Sequence, residues 1–182
     1  KQIKNTLLMK AINDQPRLAF LDIILRNLPS EYKKNDVDVK NIIYSLKVMH
    51  LDYVRLLAKQ HFPHVDNKTF KKYWDSNKKE LKLGYYCSIA SKSKSYKDEL
   101  ESLMERMIES EFYSGSGKIS DMTFATLVNF HFYGKFYSYC DNSERVARKV
   151  RYMFVDRNDP ESEKKLYKWQ LIPNLWPIIN NY

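Results

Sequence analysis

The sequence predicts an all-α fold, an irregular multi-helix bundle or a short array of helix pairs with about eight helices. Three observations predict it. Apolar residues recur at spacings of three and four over most of the chain, the period of one helix face, rather than alternating as they would on a strand. The 182 residues include only four glycines and six prolines, too few for the tight turns of an all-β fold. The stretches between the periodic segments carry Asp, Ser and Pro where helices start and stop. A composition of 43% hydrophobic and 29% charged residues belongs to a globular chain and excludes a disordered tail. At this length one core is expected, so residues 1–182 read as a single domain. Because they open on Lys1 rather than methionine, that domain is expected to be excised from a longer protein.

Ile3, Leu7, Leu8 and Ile12 mark a first helix over residues 2–12. NDQPR interrupts it: Asp14 can cap a second helix with Pro16 in its first turn, where the missing N–H has no consequence. Leu18, Leu21, Ile24, Leu25 and Leu28 line that helix, and Pro29 closes it. From Asp38 the positions Ile42, Leu46, Met49, Tyr53, Leu56 and Gln60 alternate spacings of four and three. This predicts one long central helix to His61, ended by Pro63.

Asp66 can cap the next stretch, in which Phe70, Trp74, Leu81, Tyr85 and Ile89 share a face, with a break near Asp75, Ser76 and Asn77. SIASKSKSYKDE is a polar loop with Ser95 as a cap. Tyr96, Leu100, Leu103, Met104, Met107, Ile108 and Phe112 then predict an amphipathic helix with an acidic outer face. SGSG at 114–117 stops it. Ser120 or Asp121 starts a helix to Tyr139, Asn142 or Ser143 another through Phe154, and Asp159 with Pro160 a last one. IPNLWPIINNY, with its two prolines, is not regular helix throughout.

The formal net charge of +9 creates a positive surface potential that attracts polyanions, so the expected partner is nucleic acid or an acidic protein. Two segments concentrate the charge. Nine lysines fall between positions 68 and 97, interleaved with Tyr73, Trp74, Tyr85 and Tyr86; Lys71, Lys72, Lys78 and Lys79 are the candidates there for positioning a phosphate backbone. The second segment follows NFHFYGKFYSYC at 129–140, which holds six aromatic rings in twelve positions. Most of those rings are expected to be core, because they cover most of a helix circumference. Lys135, Arg145, Arg148, Lys149, Arg151 and Tyr152 are the nucleic-acid candidates of this segment, since a guanidinium makes paired hydrogen bonds to phosphate oxygens. The alternative partner is a protein, for which Trp169, Leu175, Trp176 and Tyr182 are the candidate interface, tryptophan and tyrosine being frequent anchors.

Several chemistries fail on spacing. SGSGKIS at 114–120 lacks the first glycine of a phosphate-binding loop, Phe112 standing there, and Ile119 replaces its hydroxyl residue. His50, His61, His64 and Asp66 form no HExxH or comparable pattern, so no metal is expected. Cys87 and Cys140 make no CxxC, and there is no GxSxG elbow. No apolar run reaches the length of a membrane span, and the start lacks the features of a signal peptide. With so little cysteine, an intracellular setting, nuclear or cytoplasmic, is expected.

Arg55 and His61 in RLLAKQH resemble the Arg-x4–6-His spacing of the HEPN family of helical ribonucleases. The resemblance implies metal-independent RNA cleavage by that pair at a dimer interface. Leu56 departs from the polar residue that often follows the arginine in that family. The residues taken together point instead to a non-enzymatic helical domain without cofactor or metal. Such a domain would bind nucleic acid within a larger assembly, with a protein-interaction scaffold as the alternative and a HEPN-like ribonuclease as a further one.

Overall fold

The computed structural model describes residues 2–47, 49, 51–77, 82–114 and 158. These residues are all-α: α1 (Gln2–Asp14), α2 (Pro16–Asn27), α3 (Ser30–Lys34), α4 (Asp36–Lys47), α5 (Val54–His61), α6 (Asn67–Trp74), α7 (Leu83–Ala90) and α8 (Lys94–Ser114), with no strand among them. The helices expected after SGSG lie outside the described residues. The chain divides into two units, Lys1–Glu99 and Leu100–Tyr182. The second is described only at residues 100–114 and 158, so the expectation of one domain extends beyond the described residues.

Two helices organise the first unit. In α2, Leu18, Ala19, Phe20, Leu21, Ile23, Ile24 and Leu25 are all buried, apolar around nearly the whole circumference, as a helix enclosed by others must be. It packs on α1, α5 and α7. The other, α4, buries Val39, Ile42, Ile43, Tyr44 and Leu46 and packs on α3, α5, α6 and α7. Leu57, Ala58, Phe62, Phe70, Leu83 and Tyr86 complete the core. Each of these side chains stabilises the fold by roughly 1.5–3 kcal/mol through burial, alanine excepted.

The predicted single helix from Asp38 to His61 is two helices, α4 and α5. Tyr53, immediately before α5, has φ 67° and ψ −3°, the left-handed region that no helix interior admits. The break lets α5 fold back onto both α4 and α2 instead of extending past them. The predicted face does not carry across it: α4 buries Ile42 and Leu46, but α5 buries Val54, Leu57 and Ala58, while Leu56 is half-buried and Gln60 exposed. Nor does α4 begin at Asp38. It begins at Asp36, and the Asn35 side chain caps it, Oδ1 accepting from the N–H groups of Val37 at 3.0 Å and Asp38 at 3.2 Å.

Asp14 does not cap the second helix but ends the first, and the cap position belongs to Gln15, whose φ of −117° and ψ of 101° are the extended conformation a following proline imposes. The five-residue α3 is absent from the predicted series, being too short to show a period. Asp66 caps α6 as expected: its carboxylate accepts from the Thr69 N–H at 2.7 Å and the Thr69 hydroxyl at 2.9 Å, and these bonds hold it below the usual carboxylate range. The predicted break at 75–77 separates α6 from α7.

Ser95 is inside α8 rather than at its cap, because its hydroxyl is drawn to α2. There the Asn27 side chain is the hub. Its Oδ1 accepts from the hydroxyls of Ser95 and, at 2.8 Å, Ser93, while its Nδ2 donates to Ile23 O at 2.8 Å and to the Glu99 carboxylate. Glu99 also pairs with Arg26. Nearby, the Cys87 thiol and the Tyr96 hydroxyl meet at 3.4 Å in the core, and burial, then Cys87, pushes the Tyr96 hydroxyl far above its ordinary range.

Candidate nucleic-acid interface

The lysine-rich helix α6 is fixed by one buried ring. Phe70 is 1% exposed, and helical spacing turns Lys68, Lys71 and Lys72 to the outside, where all three are exposed. Trp74, one turn on from Phe70, lies nearly parallel to it, with ring centroids 6.0 Å apart and an interplanar angle of 12°. Tyr73 meets Tyr44 of α4 edge-on at 6.3 Å.

Cations from two other helices converge on these rings. The Arg55 guanidinium carbon of α5 is 6.0 Å from the Phe70 centroid and 5.9 Å from that of Trp74, so it straddles the stacked pair. Lys59, one turn further along α5, brings Nζ to 5.5 Å from the Phe70 centroid. From α4, Lys40 Nζ stands 5.6 Å from the Tyr73 centroid, and Lys47 Nζ donates to Ser76 O at 3.2 Å.

Asp75 records the convergence electrostatically. Lys71 Nζ donates to its Oδ2 at 2.6 Å, and this bond, together with the charges of Lys71, Arg55 and Lys47, outweighs the opposing effect of desolvation and holds the exposed carboxyl below the usual range. Three helices therefore deliver positive charge to one neighbourhood. Among the described residues, Asp36 and Asp66 are the other carboxylates that act on Tyr73 there. After burial, these two and Tyr44 raise the Tyr73 hydroxyl. Among the described residues, Lys40, Lys47, Arg55, Lys59 and Lys71 outnumber them.

Of the predicted nucleic-acid residues, Lys71 is brought to this surface, already paired with Asp75, while Lys72 is exposed on α6 and turned away from Trp74 by helical spacing. Lys78, Lys79, Lys135, Arg145, Arg148, Lys149, Arg151 and Tyr152 lie outside the described residues, as do the interface candidates Trp169, Leu175, Trp176 and Tyr182. Sequence reasoning missed Lys40, Lys47 and Lys59 and gave Arg55 another role. The signal available was the pair Arg55 and Lys59 at i and i+4, but what they face is set by tertiary packing.

Arg55 and His61, the pair that resembles the HEPN spacing, engage different partners. Six positions on one helix put them about 120° apart around its axis. Arg55 lies over Phe70 and Trp74, whereas His61 donates from Nε2 to Asp22 Oδ1 at 2.8 Å and has Lys33 Nζ at 3.5 Å from Nδ1. His64 stands edge-on to Phe62 with centroids 6.4 Å apart. Among the described residues no group of three or more His, Cys, Asp or Glu side chains could hold a metal ion, and no helix is long and apolar enough to cross a membrane. No protein-family model, no curated protein and no solved structure matches the chain.

Proposed function

We propose that this chain is a non-enzymatic helical binding domain that engages nucleic acid, RNA or DNA, through the basic surface formed by α4, α5 and α6, within a larger intracellular assembly. The observation that carries the reading is the convergence of Lys47, Arg55 and Lys71 on Asp75, with Arg55 over the stacked rings of Phe70 and Trp74. A solubilising surface scatters its charges and pairs them locally. Here cations from three helices gather beside the partly exposed Tyr73 and Trp74, the combination that holds a polynucleotide by its phosphates without reading sequence.

Fluorescence anisotropy with labelled single-stranded RNA, single-stranded DNA and duplex DNA across a salt series tests this. Binding at micromolar or tighter concentration near physiological salt supports the reading. Reversing charge at Lys68, Lys71 and Lys72 together then weakens binding uniformly across sequences and flattens its salt dependence, by a slope of roughly one for each phosphate no longer neutralised. The same reversal at Arg145, Arg148 and Arg151 reports whether the second basic segment contributes. Affinity unchanged by the α6 reversal refutes the assignment of this surface.

A further inference from the structure

The α5–α6 surface carries more than charge. We infer that Arg55 and Trp74 together form a contact for a single strand, the guanidinium taking one phosphodiester and the indole taking the face of an adjacent base; this rests on the nucleic-acid reading above and names the form of polynucleotide that the surface accepts.

Arg55 is exposed, and among the described residues it makes no ion pair. A guanidinium offers a planar fork that matches two phosphate oxygens, and one already resting on rings loses little further freedom when it binds them. The stack with Phe70 fixes the plane of Trp74, so the half-buried indole is a rigid platform and not a swinging side chain. Among the described residues its N–H has no hydrogen-bond acceptor, which leaves a donor for solvent or ligand at the edge of the platform.

The geometry discriminates between nucleic-acid forms. In a duplex each base is covered above and below and offers only its edges in the grooves, so an indole gains nothing without unstacking a step. A single strand exposes base faces freely, and stacking on an aromatic side chain is tolerant of sequence because every base has one. Lys59, whose Nζ lies 5.5 Å from the Phe70 centroid, extends the positive track for a neighbouring phosphate. Neither a phosphate fork nor a stacking platform tells a 2′-hydroxyl from a hydrogen, so the ligand class is single-stranded polynucleotide, with RNA and DNA as arms of the test.

The experiment uses the full chain and three labelled probes of equal length: oligo-U, oligo-dT and a duplex. Wild type is expected to favour the single strands. Trp74→Ala should lower single-strand affinity about tenfold, the effect of losing one stacked base, and leave duplex affinity unchanged, whereas Trp74→Phe retains most of it. Arg55→Lys keeps the charge and loses the fork, so affinity falls severalfold at nearly constant salt slope. Because Trp74 leans on Phe70, a second readout leaves the ring in place. The sequence has three tryptophans, so in a Trp169→Phe, Trp176→Phe chain Trp74 is the sole indole, and saturating oligo-dT should quench its emission while duplex does not. Equal affinity for duplex and single strands, equal losses on both in Trp74→Ala, or emission unchanged at saturation overturns the inference while nucleic-acid binding stands. No binding to any probe overturns both.

Discussion

The His61 imidazole joins α5 to α2 through Asp22, Nε2 donating to Oδ1 at 2.8 Å, and has the Lys33 ammonium of α3 3.5 Å from its other nitrogen. Arg26 donates to the second oxygen of Asp22 at 2.9 Å. The carboxylate thus ties α2 to α5, and the His61 ring brings α3 to the same junction through Lys33.

This connection makes stability acid-sensitive. Burial alone would raise the Asp22 carboxyl, but the hydrogen bond from His61, the charges of Arg26 and His61 and the hydrogen bond from Arg26 outweigh it, and its pKa lies below the ordinary 3.8. The folded state therefore holds the proton less tightly than the unfolded chain. The stabilisation is full above the ordinary carboxylate pKa and is lost as pH falls through the lowered one. Asp22→Asn should cost about 2 kcal/mol at neutral pH and shallow the acid limb of a melting-temperature profile. Parallel profiles for variant and wild type would show that other carboxylates govern acid unfolding.

Asn27 is only 7% exposed, and its amide bonds to Ile23, Ser93, Ser95 and Glu99. Truncation strands a serine hydroxyl pair and leaves Glu99 to Arg26 alone. Asn27→Ala is expected to lower stability by about 2–3 kcal/mol, read as a shift in the urea midpoint at constant slope. Asn27→Asp places a second carboxylate beside Glu99 and should be worse than alanine at neutral pH, with the deficit shrinking in acid.

Tyr53 occupies the left-handed region at a cost that a side chain with a Cβ ordinarily does not bear. Asparagine tolerates that conformation, and β-branched residues tolerate it least. Tyr53→Val should therefore destabilise by about 1–2 kcal/mol more than Tyr53→Asn. Equal melting temperatures for the two variants would mean that the Tyr53 ring, and not its backbone, decides the position.

Eight residues are too few for a helix to persist on its own, so α6 depends on its cap and on Phe70. Asp66→Ala touches no proposed ligand contact. It should nonetheless speed amide exchange from Phe70 to Trp74 and weaken single-strand binding, because the cations are presented only while the helix is formed. Faster exchange with unchanged affinity would separate the site from the helix.

Some of these features are legible in the sequence and others are not. The α6 cap is legible because an Asx cap is a local bond, formed by Asp66 with a residue three positions on. Lys71 and Lys72 are legible as charge because lysines that cluster in sequence on one helix cluster in space. The break at Tyr53 is not, since tyrosine gives no sign of a left-handed backbone as glycine or asparagine would. Arg55 has the same limitation in another form: its rings are Phe70 and Trp74, contributed by a different helix, and no periodicity within α5 indicates what its outer face meets. The HEPN-like spacing of Arg55 and His61 depends on treating two residues of one helix as one site, whereas the fold gives them separate neighbours.

The enclosed thiol of Cys87 supplies an internal clock. A sulfur shielded within the core reacts with a soluble disulfide reagent only in the moments when its surroundings part. In a chain with Cys140→Ser, the rate of colour development would report how often those openings occur, and its slowing by added oligonucleotide would measure how far a ligand on α5 and α6 steadies a thiol on α7 that it never touches.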